Sequence, residues 1–280
     1  MTVGLVLGGG GSRGIAHVGV LQVLVRENIP IGFIVGTSMG GIVGTLFALG
    51  LSPNQLEERI NVLRDTSLFN IKRLSARSRQ QMLCDLLCEV LADKTFADLH
   101  IPTTLMAVDM HRGVEVALDR GDLLPAVMAT SAVPAVFPPV ELDGTQLADG
   151  GVIDSLATHV AFAQGAAQVI AVDIEPPLKE DNPWVDPLSA VTGFQLPFLF
   201  GANEGAKTPG MLAAVWRAAR VMAWHIHAER LAAHPPDVLL RPRVERYGSL
   251  DFKDLKGPLQ AGVVEAERQL PALKALKSKA

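Results

Sequence analysis

Cysteine, tyrosine and tryptophan are scarce in this chain: 280 residues hold two, one and three of them. Two thiols cannot build the disulfide framework of a small secreted domain. Cys84 and Cys88, four apart in the helical pattern QQMLCDLLCEVLA, are expected on one buried helix face as small apolar residues. No run of 18 apolar residues occurs, so the sequence offers no membrane-spanning helix. A basic n-region is missing from MTVGLVLGGGG, whose apolar run breaks into glycine, so no signal peptide is expected and the cytoplasm is the expected compartment. Neither sign of charge is in excess, and a net charge of −4 gives no electrostatic reason to propose a nucleic-acid partner. Internal repeats and domain-dividing linkers are absent too, and a single domain over 1–280 is expected.

What is present is apolar and periodic. Hydrophobic residues make up 49% of the chain, enough to bury a large core. VGLVL (3–7) reads as a strand, followed by GGGGSRG and the helical pattern IAHVGVLQVLVREN, with Asn28 as its stop. IPIGFIV (29–35) reads as a buried strand and IVGTLFAL (42–49) as a helix that Gly50 can cap. Ser52 and Gln55 around Pro53 form the start signal of the next helix. Further strands are expected over 103–110, 114–118, 167–174 and 236–242, with a hairpin turning at Asp143-Gly144. Helices are expected over 123–132, 158–165, 211–234 and 255–276. Continuous apolar strands alternating with helices imply an α/β fold with a mostly parallel sheet covered on both faces.

Three short motifs carry chemistry. Gly36-Thr37-Ser38-Met39-Gly40 places a serine between strand and helix with glycine two residues to either side, the pattern of a turn that lifts a hydroxyl over a sheet edge. At average glycine and serine usage, about one chain in ten of this length carries such a pattern by chance. Its context therefore has to decide. Gly9-Gly10-Gly11-Ser12-Arg13-Gly14 follows the first strand and matches a dinucleotide-binding fingerprint. That use needs an acid about 20 residues on, at the end of the second strand. Here the strand ends Ile34-Val35-Gly36-Thr37, and the nearest acid, Glu27, precedes it. The same glycines can instead bare N–H groups for the oxyanion of an ester under attack. A parallel βαβ unit would set them beside Ser38. Of seven histidines none occupies an obvious strand-end loop, whereas Asp149 leaves a hairpin just before Gly150-Gly151. Asp149 is thus a candidate base, though Asp-Gly-Gly is also an ordinary turn sequence.

Taken together, these residues resemble the patatin-like phospholipase family. The match is to the Gly9–Gly14 segment, to Gly36–Gly40 and to Asp149–Gly151 in that family's order, and TSAVPAVFPPVELDGTQLADGG (130–151) is similar to the family's approach to its aspartate. It covers most of the first 175 residues, and the strand AQVIAVDI and the ending from YGSLDF into a helix are similar to small bacterial members. The resemblance implies a three-layer α/β fold and a Ser-Asp dyad carried by Ser38 and Asp149. It implies an oxyanion hole from the Gly9, Gly10 and Gly11 segment, with Arg13 and Gly14 beside it, and hydrolysis of lipid acyl esters without cofactor or metal. Core motifs span 3–175. Residues 175–210 match no family motif and hold the apolar island FQLPFLFG, either a lid or membrane-contacting loop or a cover for the sheet; strand and helices follow over 211–280.

Some uses stay open at this level. Arg13 could neutralise a substrate phosphate or pair with a carboxylate that braces the loop. His225-Ile226-His227 sits in a helical pattern that points its two rings apart, against joint metal binding. A regulatory or adaptor protein on the same fold is the alternative to an enzyme. The expected partner is a lipid or acyl ester, with transient membrane-surface contact; head group, chain length and oligomeric state have no signature in the sequence.

Overall fold

The computed structural model describes residues 2–64, 75–134, 136–178 and 211–277. In chain order these are β1 (Val3–Leu7), a 3₁₀ turn (Gly11–Ile15), α1 (Ala16–Arg26), β2 (Phe33–Thr37), α2 (Met39–Ala48), α3 (Pro53–Arg64) and α4 (Ala76–Leu91). Then come β3 (Thr103–Asp109), β4 (Val114–Leu118), α5 (Leu123–Thr130), β5 (Val140–Leu142), β6 (Thr145–Asp149), α6 (Thr158–Ala163) and β7 (Gln168–Val172). The chain closes with α7 (Met211–Ala233), β8 (Val238–Leu240), α8 (Lys256–Arg268) and α9 (Leu270–Lys277).

The strands form one sheet along the path β5-β6-β3-β2-β1-β7-β8, and β4 pairs with β3 off that path. β1, β2, β3, β7 and β8 run parallel, and β4 and β6 run antiparallel to β3. Every residue of β1, β2, β3 and β7 is buried. The reason is the strand period of two: Val3, Leu5, Leu7, Ile34, Ile170 and Val172 face one core with α1, α2, α5 and α8. Val6, Phe33, Val35, Val169 and Ala171 face the other, with α6 and Leu231 of α7. This is the expected three-layer α/β architecture.

Local signals placed most joints. Asn28 takes a left-handed φ of 54° after α1, and Gly50 one of 97° after α2. Asp143 and Gly144 both have positive φ, which matches the hairpin twist. Ser52 and Gln55 bond reciprocally at the start of α3. Three expectations shift. β2 begins at Phe33, because Ile29 gives its N–H to Leu24 back in the helix end and Gly32 gives its own to Val3. The last helix divides at Gln269, where Pro271 has no N–H to continue the ladder. Cys84 and Cys88 are half-buried beside the buried ridge of Leu83, Leu87 and Leu91, with Sγ atoms 4.0 Å apart. The apolar island at 194–201 lies outside the described residues.

Candidate active site

Ser38 follows the last residue of β2 and caps α2 in a conformation of φ 54° and ψ −124°, rarely adopted by a residue with a Cβ. Such strain persists only where the surroundings enforce it. Here α2 starts so close over the strand ends that a Cβ at Gly40 would lie 2.2 Å from the Leu7 carbonyl oxygen, and one at Gly36 would lie 2.6 Å from Gly41 Cα. Ser38 is 7% exposed. Its N–H donates to Thr130 Oγ1 at 3.0 Å, and that hydroxyl donates to the Met106 carbonyl at 2.6 Å. Thr130 escaped the sequence reading: it lies 92 residues from Ser38 and reads simply as the end of a helix.

Asp149 reaches the same place as the last residue of β6. β4 occupies Leu105–Asp109 along one edge of β3. β2, paired up to Met106, and β6, paired from Ala107, must therefore share the opposite edge end to end. Thr37 pairs with Met106 and Asp149 with Ala107, so the residue after one strand meets the last residue of the other on adjacent rungs. Gly150 then crosses β3 so closely that a Cβ would lie 2.6 Å from the Met106 carbonyl oxygen.

Burial pushes the Asp149 carboxyl up to about 6, against the opposing pull of hydrogen bonding from the Ser38 side chain and from the Gly151 N–H. Oδ1 accepts from Gly151 N–H at 2.7 Å. Oδ2 is buried without a completed hydrogen bond. Among the described residues, no cation shifts this carboxylate.

The glycine loop runs from β1 into the Gly11–Ile15 turn. Gly8 N–H donates to Val172 O at 3.1 Å, Gly9 N–H to Ser155 O at 2.8 Å and Ser12 N–H to Ser249 O at 2.8 Å. The N–H groups of Gly10 and Gly11 between them have no acceptor among the described residues. Gly9 therefore belongs to the loop as expected, but its N–H is already engaged. What it contributes is closeness, since a Cβ there would lie 3.3 Å from Ser38 Cβ. Gly14 lets the turn pack on Met39, whose Cγ would lie 2.4 Å from an added Cβ.

Arg13 is buried, and its guanidinium makes no hydrogen bond to a described residue. Burial lowers its pKa, Glu175 opposes that shift, and Arg220 adds to it. Glu175 itself bonds Arg220 at 2.7 Å.

The histidines stand elsewhere. His17 Nε2 lies 2.7 Å from the Gly8 carbonyl, which suits an N–H donated there, and burial drives its pKa down to about 4. His227 contacts Asp173 and Ser155, while His225 is exposed beside Glu229. Among the described residues, Glu115, Asp154 and His159 place possible metal-ligand atoms within 4.8 Å of one another. Arg230 already spans that group, at 2.6 Å from Glu115 and 3.4 Å from Asp154.

A family model described as patatin-like phospholipase matches residues 5–162. An uncharacterized NTE family protein of Mycobacterium tuberculosis is 35% identical over 179 residues, which cover 61% of this chain and 49% of that protein. Lysophospholipase NTE1 of Saccharomyces cerevisiae is 28% identical over 284 residues, covering 93% of this chain and 16% of that protein. The chain thus spans half or less of the length of these relatives. VipD from Legionella pneumophila has a similar fold, with a TM-score of 0.52 at 12% identity over 98% of this chain and 67% of VipD.

Proposed function

Because the chain belongs to the patatin-like phospholipase family, we propose that it hydrolyses lipid acyl esters with Ser38 as nucleophile and Asp149 as base. One observation carries this reading: a strained serine and a buried carboxylate without a cation meet on adjacent rungs of β3. A carboxylate of ordinary pKa, near 3.9, is a weak base toward an alcohol. Burial strengthens this one, and Gly151 holds one oxygen while the other stays available.

In the proposed reaction Ser38 Oγ attacks the acyl carbonyl while its proton passes to Asp149 Oδ2. The oxyanion settles against the free N–H groups of Gly10 and Gly11, and the N-terminus of α2 adds favourable potential. Collapse breaks the bond to the leaving alcohol, which takes the proton from Asp149 and departs. Asp149 then takes a proton from water as that water attacks the acyl-enzyme. The second tetrahedral intermediate releases the fatty acid as the proton returns to Ser38. No histidine takes part.

The relatives named above point to phospholipid and lysophospholipid substrates. A single catalytic domain over 1–280 and transient contact with a membrane surface complete the proposal. No helix among the described residues is long and apolar enough to cross a membrane. For Arg13, burial and the field of Glu175 support the bracing role over direct phosphate contact. An adaptor on this fold would need neither a strained serine nor an unpaired base.

The test is turnover of p-nitrophenyl butyrate by the wild type and by Ser38→Ala, with fluorophosphonate labelling mapped by mass spectrometry. Turnover lost in the variant and one adduct on Ser38 are expected. A stoichiometric adduct on another serine, or equal turnover by both proteins, would refute the assignment.

A further inference from the structure

We propose that the Gly248–Ser249 turn is a clamp on the oxyanion loop and that Ser12 is the positioning residue through which it acts; this rests on the hydrolase reading above. The turn lies far beyond residues 5–162, the span that matches the family.

Three observations support it. The Gly10 and Gly11 N–H groups are useful only if both aim at one point, and placement errors of the order of 1 Å cost about 100-fold in rate. On the upstream side the loop is tied by Gly8 to Val172 and by Gly9 to Ser155. On the downstream side the tie is double: Ser12 N–H donates to Ser249 O at 2.8 Å, and Ser12 Oγ donates to Gly248 O at 2.7 Å. Gly248 is 236 residues away in sequence and Ser249 follows it, so nothing local sets this geometry.

The two segments also interlock. Gly11 has a φ of +60°, and a Cβ there would sit 1.9 Å from the Ser249 carbonyl oxygen, inside the atom that holds Ser12. The turn is itself anchored: Asp251 N–H closes it onto Gly248 O at 3.0 Å, and Phe252 is buried in the main core. Ser12 has no exposed surface. Its hydroxyl therefore serves the turn and has no access to substrate, which makes it a positioning residue.

The two tied ends leave two amides free between them, and this arrangement makes a specific kinetic prediction. Ser12→Ala removes the hydroxyl bond and keeps the N–H bond to Ser249. It should lower kcat for p-nitrophenyl butyrate about 10- to 100-fold per fluorophosphonate-titrated site, with KM changed less than threefold. The rate constant for fluorophosphonate inactivation should fall in parallel, because its phosphoryl oxygen uses the same donors. The acidic limb of the pH–rate profile, set by Asp149, should not move. Ser12→Cys keeps a weak donor on a somewhat larger side chain, should show an intermediate loss, and provides the same reading if the alanine variant does not fold. If both rates per titrated site stay within threefold of wild type in the folded variant, Ser12 is merely structural and the clamp is wrong. A wild type that neither turns over the ester nor is labelled at Ser38 would instead overturn the hydrolase reading beneath it.

Discussion

Asp149, at 4% exposure, and Asp154, at 2%, lie on either side of one tight turn, yet they live in opposite electrostatic surroundings. Asp149 sees burial, one backbone N–H and the Ser38 side chain, and its pKa rises to about 6. Asp154 sees His159 Nδ1 at 3.5 Å and Arg230 Nη1 at 3.4 Å, and both cations also bond Glu115. In that second region hydrogen bonds to His159 and Arg230 overcome burial and hold Glu115 down at about 2, while Asp154 and Glu115 raise His159 to about 9. Both aspartates are buried, so what differs between them is their partners. With cations a buried carboxylate staples β4, α6 and α7; without them, burial raises its pKa.

Asp149 carries the largest expected effect. Asp149→Asn should cost at least about 10³-fold in kcat while leaving the fold intact. It should also stabilise the protein near neutral pH by about 1–3 kcal/mol, read from chemical denaturation. The sign follows from a folded pKa raised above 3.8: stability linked to this group is complete at low pH and is lost as pH rises through about 6. An Asn variant that is inactive and less stable than wild type would mean Asp149 is a staple as well.

Asp154→Asn should do the reverse. It leaves Arg230 and His159 with Glu115 alone and should lower stability by about 1–3 kcal/mol at pH 7, with kcat per folded molecule within a few-fold of wild type. A hundredfold loss of kcat with unchanged stability would erase the distinction between the two aspartates.

Acidity sharpens the contrast further. kcat/KM should rise through an apparent pKa of about 6 as Asp149 deprotonates. His159, raised to about 9, contributes stability that is full below its unfolded pKa of 6.5 and lost as pH rises through 9. Its side chain is 27% exposed, so solvent screening reduces the effect. His159→Gln should cost about 1–2 kcal/mol at pH 6, a gap that closes by about pH 10. A constant gap would show that the ring acts by packing alone. Smallest of all, His225→Ala removes an exposed pair with Glu229 and should change stability by less than about 0.5 kcal/mol and turnover not at all. A several-hundredfold loss there would bring a histidine into the chemistry.

Much of the site was legible because it is made of short-range demands. A hydroxyl lifted at a strand end needs glycine at 36 and 40, a bare amide run needs Gly10 and Gly11, and a hairpin needs Asp143-Gly144; these are written within a few residues of where they act. The same local signals predict the strand and helix order and hence the three layers. Gly9 marks the limit of such reading, since it lies in the loop beside Ser38 while its N–H is committed to Ser155. Thr130 and the Gly248–Ser249 turn were invisible for the same reason, as their partners lie 92 and 236 residues away.

The sequence alone therefore determined which residue types stand ready at each strand end, because backbone sterics and turn chemistry act between near neighbours. Packing of distant segments settled which carboxylate has no cation among the described residues, which two of the loop's amides have no acceptor among them, and that β2 and β6 meet end to end on β3. Those outcomes depend on what long-range packing brings within about 3 Å of a buried polar group, and in a water-excluding interior that neighbour sets both its charge and its use.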